Sequence, residues 1–211
     1  LCSPLAAQRT SFDDIGPISI NAHSSSTIRL MSSITIAVLA FNGISPFHLS
    51  VPCLVFENRS SAGLPAYQLR ICAAEPTVGG MLRTNTGFAI QTDLTLADAA
   101  QADVLIVPSW RDPTELPPEP MLDAVRAAHA RGATVVGLCL GAFVLAEAGL
   151  LDGRQATTHW SSVERFAALY PRVTLVPDVL YLDADDGLIV TSAGTAAALD
   201  CCLHLVRRWH G

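Results

Sequence analysis

The stretch Thr134 to Gly141, reading TVVGLCLG, constrains this chain more than any other part of it. Thr134 to Leu138 has no polar face for water, as a central parallel strand requires. From Gly141 onward the chain turns Ala/Leu-rich up to Gly149, which predicts a helix ended by a glycine C-cap. Between them, Gly137-Leu138-Cys139-Leu140-Gly141 matches the G-x-nucleophile-x-G pattern in the strand-turn-helix context that the pattern needs. Small flanking residues let the backbone turn sharply and aim Cys139 into a crevice at the strand's C-terminal edge. The N-terminus of the following helix points to the same place, where it favours an anion and lowers a thiol pKa. The competing reading is a structural cysteine at a helix start, its glycines serving only packing.

The rest of the chain fits around this elbow. Ile34 to Ala40 reads as a buried first strand, followed by a helix with Ser45 as N-cap, Pro46 at its first position and an end near Phe56. Further strands are expected at Tyr67 to Ala74, Asp103 to Pro108, Thr157-Thr158 and two or three places between Val173 and Val190, with a minor one at Phe88 to Thr92. Helices are expected at Met121 to Ala130, closed by Gly132, at Ser161 to Leu169 and at Thr195 to Arg208. Alternation of strand and helix predicts an α/β domain, a mostly parallel sheet with helices on both faces. Residues 1 to 32, polar and Ser-rich, read as a disordered extension, with residues 33 to 211 as one domain.

Composition excludes several functions. The 211 residues carry 13 Lys plus Arg against 19 Asp plus Glu, and a net charge of −6 gives no attraction for a phosphate backbone. The apolar run from Ala133 to Leu151 is broken by three glycines and Glu147, so no membrane span is expected, and no secretory leader is evident. Six cysteines form no C-x-x-C pair and no zinc template, so neither metal nor cofactor is expected, and reduced thiols in a cytoplasmic protein fit best. The vicinal Cys201-Cys202 reads as helix packing. Asp185-Asp186-Gly187 reads as a hairpin turn rather than a metal cluster.

Val135 to Trp160, VVGLCLGAFVLAEAGLLDGRQATTHW, resembles the ThiJ/PfpI superfamily, also called class I glutamine amidotransferase-like. It is most similar to the branch that forms the N-terminal domain of AraC-type transcription regulators. Asn42 to Phe47 with Val51-Pro52 and Phe56, and Thr191 to Gly194 leading to Asp200, resemble the first and last helices of that branch. The resemblance implies a flavodoxin-like three-layer sandwich, a homodimer, and a ligand pocket at Cys139 bordered by Gly43, Leu140, Gly141 and Gly194. It also implies that DNA is bound only through a separate helix-turn-helix region, expected beyond Arg207-Arg208-Trp209-His210-Gly211 and absent from this sequence.

Hydrolytic members of the superfamily place a His directly after the Cys and a carboxylate on the first helix. Here those positions are Leu140 and His48. His48 could act as base or cationic partner in a rewired pair, and a satisfied or pocket-lining histidine is the alternative. His159 and Trp160 are pocket candidates, with helix capping as the competing role of His159. Ser109, Trp110 and Arg111 follow a strand end where ligands bind in open sheets, and Arg111 can recognise a carboxylate. Asp200 could face the pocket or pair with an arginine. Three functions follow: a non-catalytic sensor of a small-molecule effector in an AraC-type regulator, a cysteine-dependent enzyme such as an isonitrile hydratase, or a redox sensor oxidised at Cys139.

Overall fold

Apolar residues that alternate along the strands build two cores in the computed structural model, one on each face of a single sheet. The structure describes residues 33–57 and 67–210, so the expected extension at 1–32 lies outside the described residues. In chain order the elements are β1 (Ile34–Ala40), α1 (Pro46–Val55), β2 (Tyr67–Ala73), β3 (Met81–Arg83), β4 (Ala89–Gln91), α2 (Leu96–Ala99), β5 (Val104–Val107) and α3 (Glu119–Ala130). After these come β6 (Thr134–Leu138), α4 (Gly141–Glu147), β7 (Gln155–Ala156), α5 (Val163–Leu169), β8 (Thr174–Leu175), β9 (Tyr181–Ala184), β10 (Ile189–Ser192) and α6 (Ala197–His210).

The main sheet has six strands in the order β2-β1-β5-β6-β10-β9. All neighbours are parallel except β9, which pairs antiparallel with β10 at one edge. Ile36, Val38, Ile106 and Val136 turn to the face covered by α1 and α6. Ala37, Leu39, Leu105 and Val135 turn to the opposite face, covered by α3, α4 and α5. This period-2 alternation in strands with no wet face gives the expected three-layer α/β sandwich. Cys201 and Cys202 are both fully buried against the sheet beside Leu205. None of the described helices is long and apolar enough to cross a membrane, and no His/Cys/Asp/Glu group among the described residues could hold a metal ion.

Several boundaries differ from expectation for local reasons. The strand before His159 is β7, two residues upstream of Thr157-Thr158, and it pairs with β8 in a separate two-stranded sheet. The segment expected as a helix from Ser161 begins as a 3-10 turn at Trp160–Ser162 before α5. The last helix starts at Ala197 because Thr195 sits at φ +53°, outside helical space. Asp185-Asp186-Gly187 is the expected turn between β9 and β10, with all three residues at positive φ.

Candidate functional site

Cys139 lies between the end of β6 and Leu140, the N-cap of α4, and it is held at φ +54°, a left-handed conformation uncommon for a residue with a side chain. Two chain segments remote in sequence hold it there. Its N–H donates to the Ser192 carbonyl at the end of β10 (3.1 Å), and its carbonyl accepts from Thr158 Oγ1 (3.0 Å). The flanking glycines are required by contact rather than by dihedral angle. A Cβ on Gly141 would stand 2.2 Å from the Val107 carbonyl oxygen, and one on Gly137 would stand 3.0 Å from the Ala142 nitrogen. The strand, the elbow and the helix therefore pack backbone to backbone, which is the arrangement the Gly-x-Cys-x-Gly spacing predicts.

The thiol does not behave as a helix N-terminus alone would dictate. Cys139 is 2% exposed, and burial pushes its pKa above the ordinary value. Hydrogen bonds from the Leu140 N–H, the Ser109 hydroxyl and the Thr195 N–H act in the opposite direction without winning. The expectation of a depressed thiol pKa is therefore corrected: a seven-residue α4 offsets too little of the desolvation cost.

A cavity of about 260 Å³ opens above the sulfur. Of the residues singled out in the sequence, Gly43, His48, Ser109, Trp110, Arg111, Leu140 and His159 reach its wall together with Cys139. Three others do not. Gly141 lies beneath the elbow against Val107, and Gly194 packs behind His159, where a Cβ would fall 1.8 Å from Cδ2 of the ring. Trp160 is 75% exposed outside the cavity, its ring 5.4 Å from that of His159. A larger cavity of about 460 Å³ lies beside β2 and the start of α3. It contains neither the strained cysteine nor a histidine, so the smaller cavity carries the candidate chemistry.

The two histidines on the wall differ in their bonding. Nδ1 of His159 accepts from the Ser161 N–H at 3.3 Å and bonds the Ser161 hydroxyl at 2.8 Å, so it caps the turn before α5 while facing the cavity. Capping and lining, posed as alternatives, coexist. Neither ring nitrogen of His48 has a hydrogen-bond partner among the described residues. Burial, and secondarily the nearby His159, lowers the His48 pKa, so this imidazole is uncharged at neutral pH.

Arg111 departs from its expected role. Its Nε donates to Glu115 Oε2 at 2.8 Å and its Nη2 to Glu115 Oε1, while Nη1 bonds Glu75 Oε1 at 2.5 Å and the Asn42 carbonyl at 3.1 Å. The hydrogen bonds of Glu115, then of Glu75, hold it firmly protonated. Its guanidinium is occupied by protein, not offered to a ligand carboxylate. Trp110 is a core residue, 2% exposed, donating Nε1–H to the Glu115 carbonyl at 2.9 Å and packing on Phe41. Asp200 is exposed on the first turn of α6; it neither lines the cavity nor pairs with an arginine among the described residues. Ser45, Asn85 and Thr195 also border the site. Thr195 follows the C-terminal end of a parallel strand, a position that crevice geometry marks in advance.

An α/β sandwich carrying a cysteine on a strand-helix elbow, with its cavity at the carboxyl ends of the parallel strands, defines the class of this protein. The chain belongs to the DJ-1/PfpI family, whose model matches residues 34–208. It is 32% identical to the HTH-type transcriptional regulator CdhR of Pseudomonas aeruginosa, over 78% of this chain and 47% of that protein. It is 33% identical to the isonitrile hydratase of Pseudomonas putida, over 61% of this chain and 54% of that protein. The chain thus spans about half the length of these two relatives. In three dimensions it matches an AraC family transcriptional regulator from Pseudomonas putida with a TM-score of 0.69 and 22% identity, covering 84% of this chain and 93% of that one.

Proposed function

We propose that this chain is the ligand-sensing and dimerisation domain of an AraC-type transcriptional regulator, taking a small metabolite into the elbow cavity without turning it over. The observation that carries this reading is the state of the elbow itself. Burial raises the Cys139 thiol pKa, Leu140 stands where a base would be needed, and no carboxylate among the described residues lines the cavity. Similarity to CdhR along 78% of the chain supports it, and the net charge of −6 leaves DNA contact to a separate region.

The test is a thermal-shift screen of the purified chain against small metabolites, with sedimentation to follow assembly. A bound effector at about 100 times its Kd raises stability by about 2.7 kcal/mol, a shift of about 5–10 °C for a domain of this size. A monomer that no metabolite shifts would count against the sensor. The second reading is a cysteine-dependent hydratase, supported by the unpartnered His48 beside Cys139 and by the likeness to isonitrile hydratase. Conversion of an isonitrile that disappears in both Cys139→Ser and His48→Ala would establish it in place of the sensor.

A further inference from the structure

The larger cavity, about 460 Å³ in volume, falls within the range of about 300–1,000 Å³ usual for small-molecule sites. It lies at the carboxyl end of the parallel strand β2, the end at which ligands bind in open α/β sheets. Ala73, Ala74, Leu94, Leu96, Pro118 and Pro120 give it an apolar lining that suits the body of an organic molecule.

Its polar groups are few, and most are already engaged. Glu75 accepts from Arg111 Nη1 at 2.5 Å through one oxygen and from the Asn42 main-chain N–H at 3.0 Å through the other. Thr92 Oγ1 donates to the Ile71 carbonyl and accepts from the Leu94 N–H, and Thr95 is tied to Asp98 in the cap of α2. The Thr77 hydroxyl and the Asp93 carboxylate remain, neither of them engaged among the described residues. Asp93 Oδ1 stands beside Gly80, which is held at φ +73°. A Cβ there would come within 3.0 Å of that oxygen and 3.2 Å of the Thr92 carbonyl oxygen, so two acceptors edge a corner that only a glycine leaves open.

The charge of the wall has one sign. No Lys, Arg or His among the described residues lines the cavity. The Arg111 guanidinium behind Glu75 is shared with Glu115, so that cluster carries a balance of −1 and leaves the charge of Asp93 without an offset. Nor do the neighbouring helix starts favour an anion. The first turns of α2 and α3 carry Asp98 and Glu119, and Pro118 and Pro120 bring no N–H to the wall.

We infer that this cavity is a second ligand site, for a small organic monocation whose apolar body lies against the alanine, leucine and proline side chains and whose ammonium group donates to the Asp93 carboxylate. The site is separate from the elbow cavity and stands whether or not that cavity senses a metabolite. A carboxylate of the same size meets repulsion from Asp93, and a neutral isostere loses the charge-assisted bond.

Three probes with one apolar ring test it: cyclohexylmethylammonium, cyclohexylmethanol and cyclohexanecarboxylate, each titrated into the whole chain and followed by NMR shifts of the Gly80, Asp93 and Ala97 amides. The ammonium is expected to bind about fivefold more tightly than the alcohol, and the carboxylate more weakly than either. Asp93→Asn removes the charge without breaking a bond among the described residues, and it should bring the ammonium down to the affinity of the alcohol. Ala97→Trp, at an exposed position on the cavity wall, should block all three probes while the spectrum stays folded. The alcohol or the carboxylate equalling the ammonium on the unaltered chain would overturn the inference, as would an ammonium preference that survives Asp93→Asn. Shifts confined to the elbow amides, or no shifts at all, would remove the second site and leave the sensor reading untouched.

Discussion

Replacing Gly141 by alanine isolates the contact on which the elbow depends. Its φ is not in the left-handed region, so an alanine backbone is allowed there, and within a helix the substitution by itself stabilises by about 1 kcal/mol. The new methyl would stand 2.2 Å from the Val107 carbonyl oxygen, 3.1 Å from the Val107 carbonyl carbon and 3.3 Å from Val107 Cβ. The first of these is a backbone atom of a central strand with no rotamer to change. Either α4 or β5 must shift by about an ångström, and overpacking of this kind costs about 1–3 kcal/mol. With backbone on both sides the upper end applies, for a net loss of about 2 kcal/mol and a fall of about 4–8 °C in Tm. Urea unfolding of Gly141→Ala beside Gly132→Ala provides the comparison, since a Cβ at Gly132 meets nothing within 4 Å and that position feels only its φ of +86°. Only Gly141→Ala should also perturb the NMR resonances of the cavity. A Gly141→Ala protein as stable as the parent, or more stable, would mean that helix propensity outweighs the contact and that the elbow is not packed backbone to backbone.

Four further outcomes are expected. Gly194→Ala would drive its Cβ into the His159 ring and cost about 1 kcal/mol through loss of the cap on Ser161. Adding His159→Ala should then cost less than it does in the parent, a coupling that a double-mutant cycle reads directly. Because burial, and secondarily His159, holds the His48 pKa below the ordinary 6.5 of a free imidazole, the unfolded chain binds this proton first. Stability should therefore fall as pH drops below about 6.5, and urea midpoints of His48→Leu should show a shallower fall. Cys53 and Cys72 are pushed up to about 11 and Cys202 to about 12, from 9.0. Stability should hold below about pH 9 and decline above it, as the unfolded thiols ionise first, with Cys202→Ala reducing the slope. At pH 7.5, iodoacetamide should alkylate Cys139 at least tenfold more slowly than glutathione, and mild peroxide should add no oxygen there by intact mass. Faster alkylation would show that the neighbouring amides outweigh burial.

The sequence announces the elbow because everything that makes it is local. An apolar strand, two glycines and an Ala/Leu helix lie within consecutive residues, and Thr134–Leu138 falls where that pattern puts it. Short elements leave weaker traces. Phe88 to Thr92 hints at β4, but its partner β3 is three residues long, too brief for a period to register. Glycines 79, 80 and 87, all at positive φ, were the available signal for that hairpin. Site residues divide in the same way. Ser109, His48 and His159 are found from strand ends and helix starts, whereas the occupation of Arg111 is decided by Glu75, thirty-six residues away and legible only in three dimensions. Trp160 misleads for a simple reason: adjacency to His159 in sequence says nothing about which side of a 3-10 turn a ring leaves from.

The bonds from Cys139 to Ser192 and from Thr158 to Cys139 use only main-chain atoms of residue 139. The left-handed turn is therefore imposed on whatever side chain occupies that place, by strands that would stay paired whether or not a thiol were present. The shape of the elbow is therefore set by the backbone pairing, apart from the chemistry of the side chain it presents. Main-chain bonds to β10 and to Thr158, not the thiol itself, hold residue 139 in its turn.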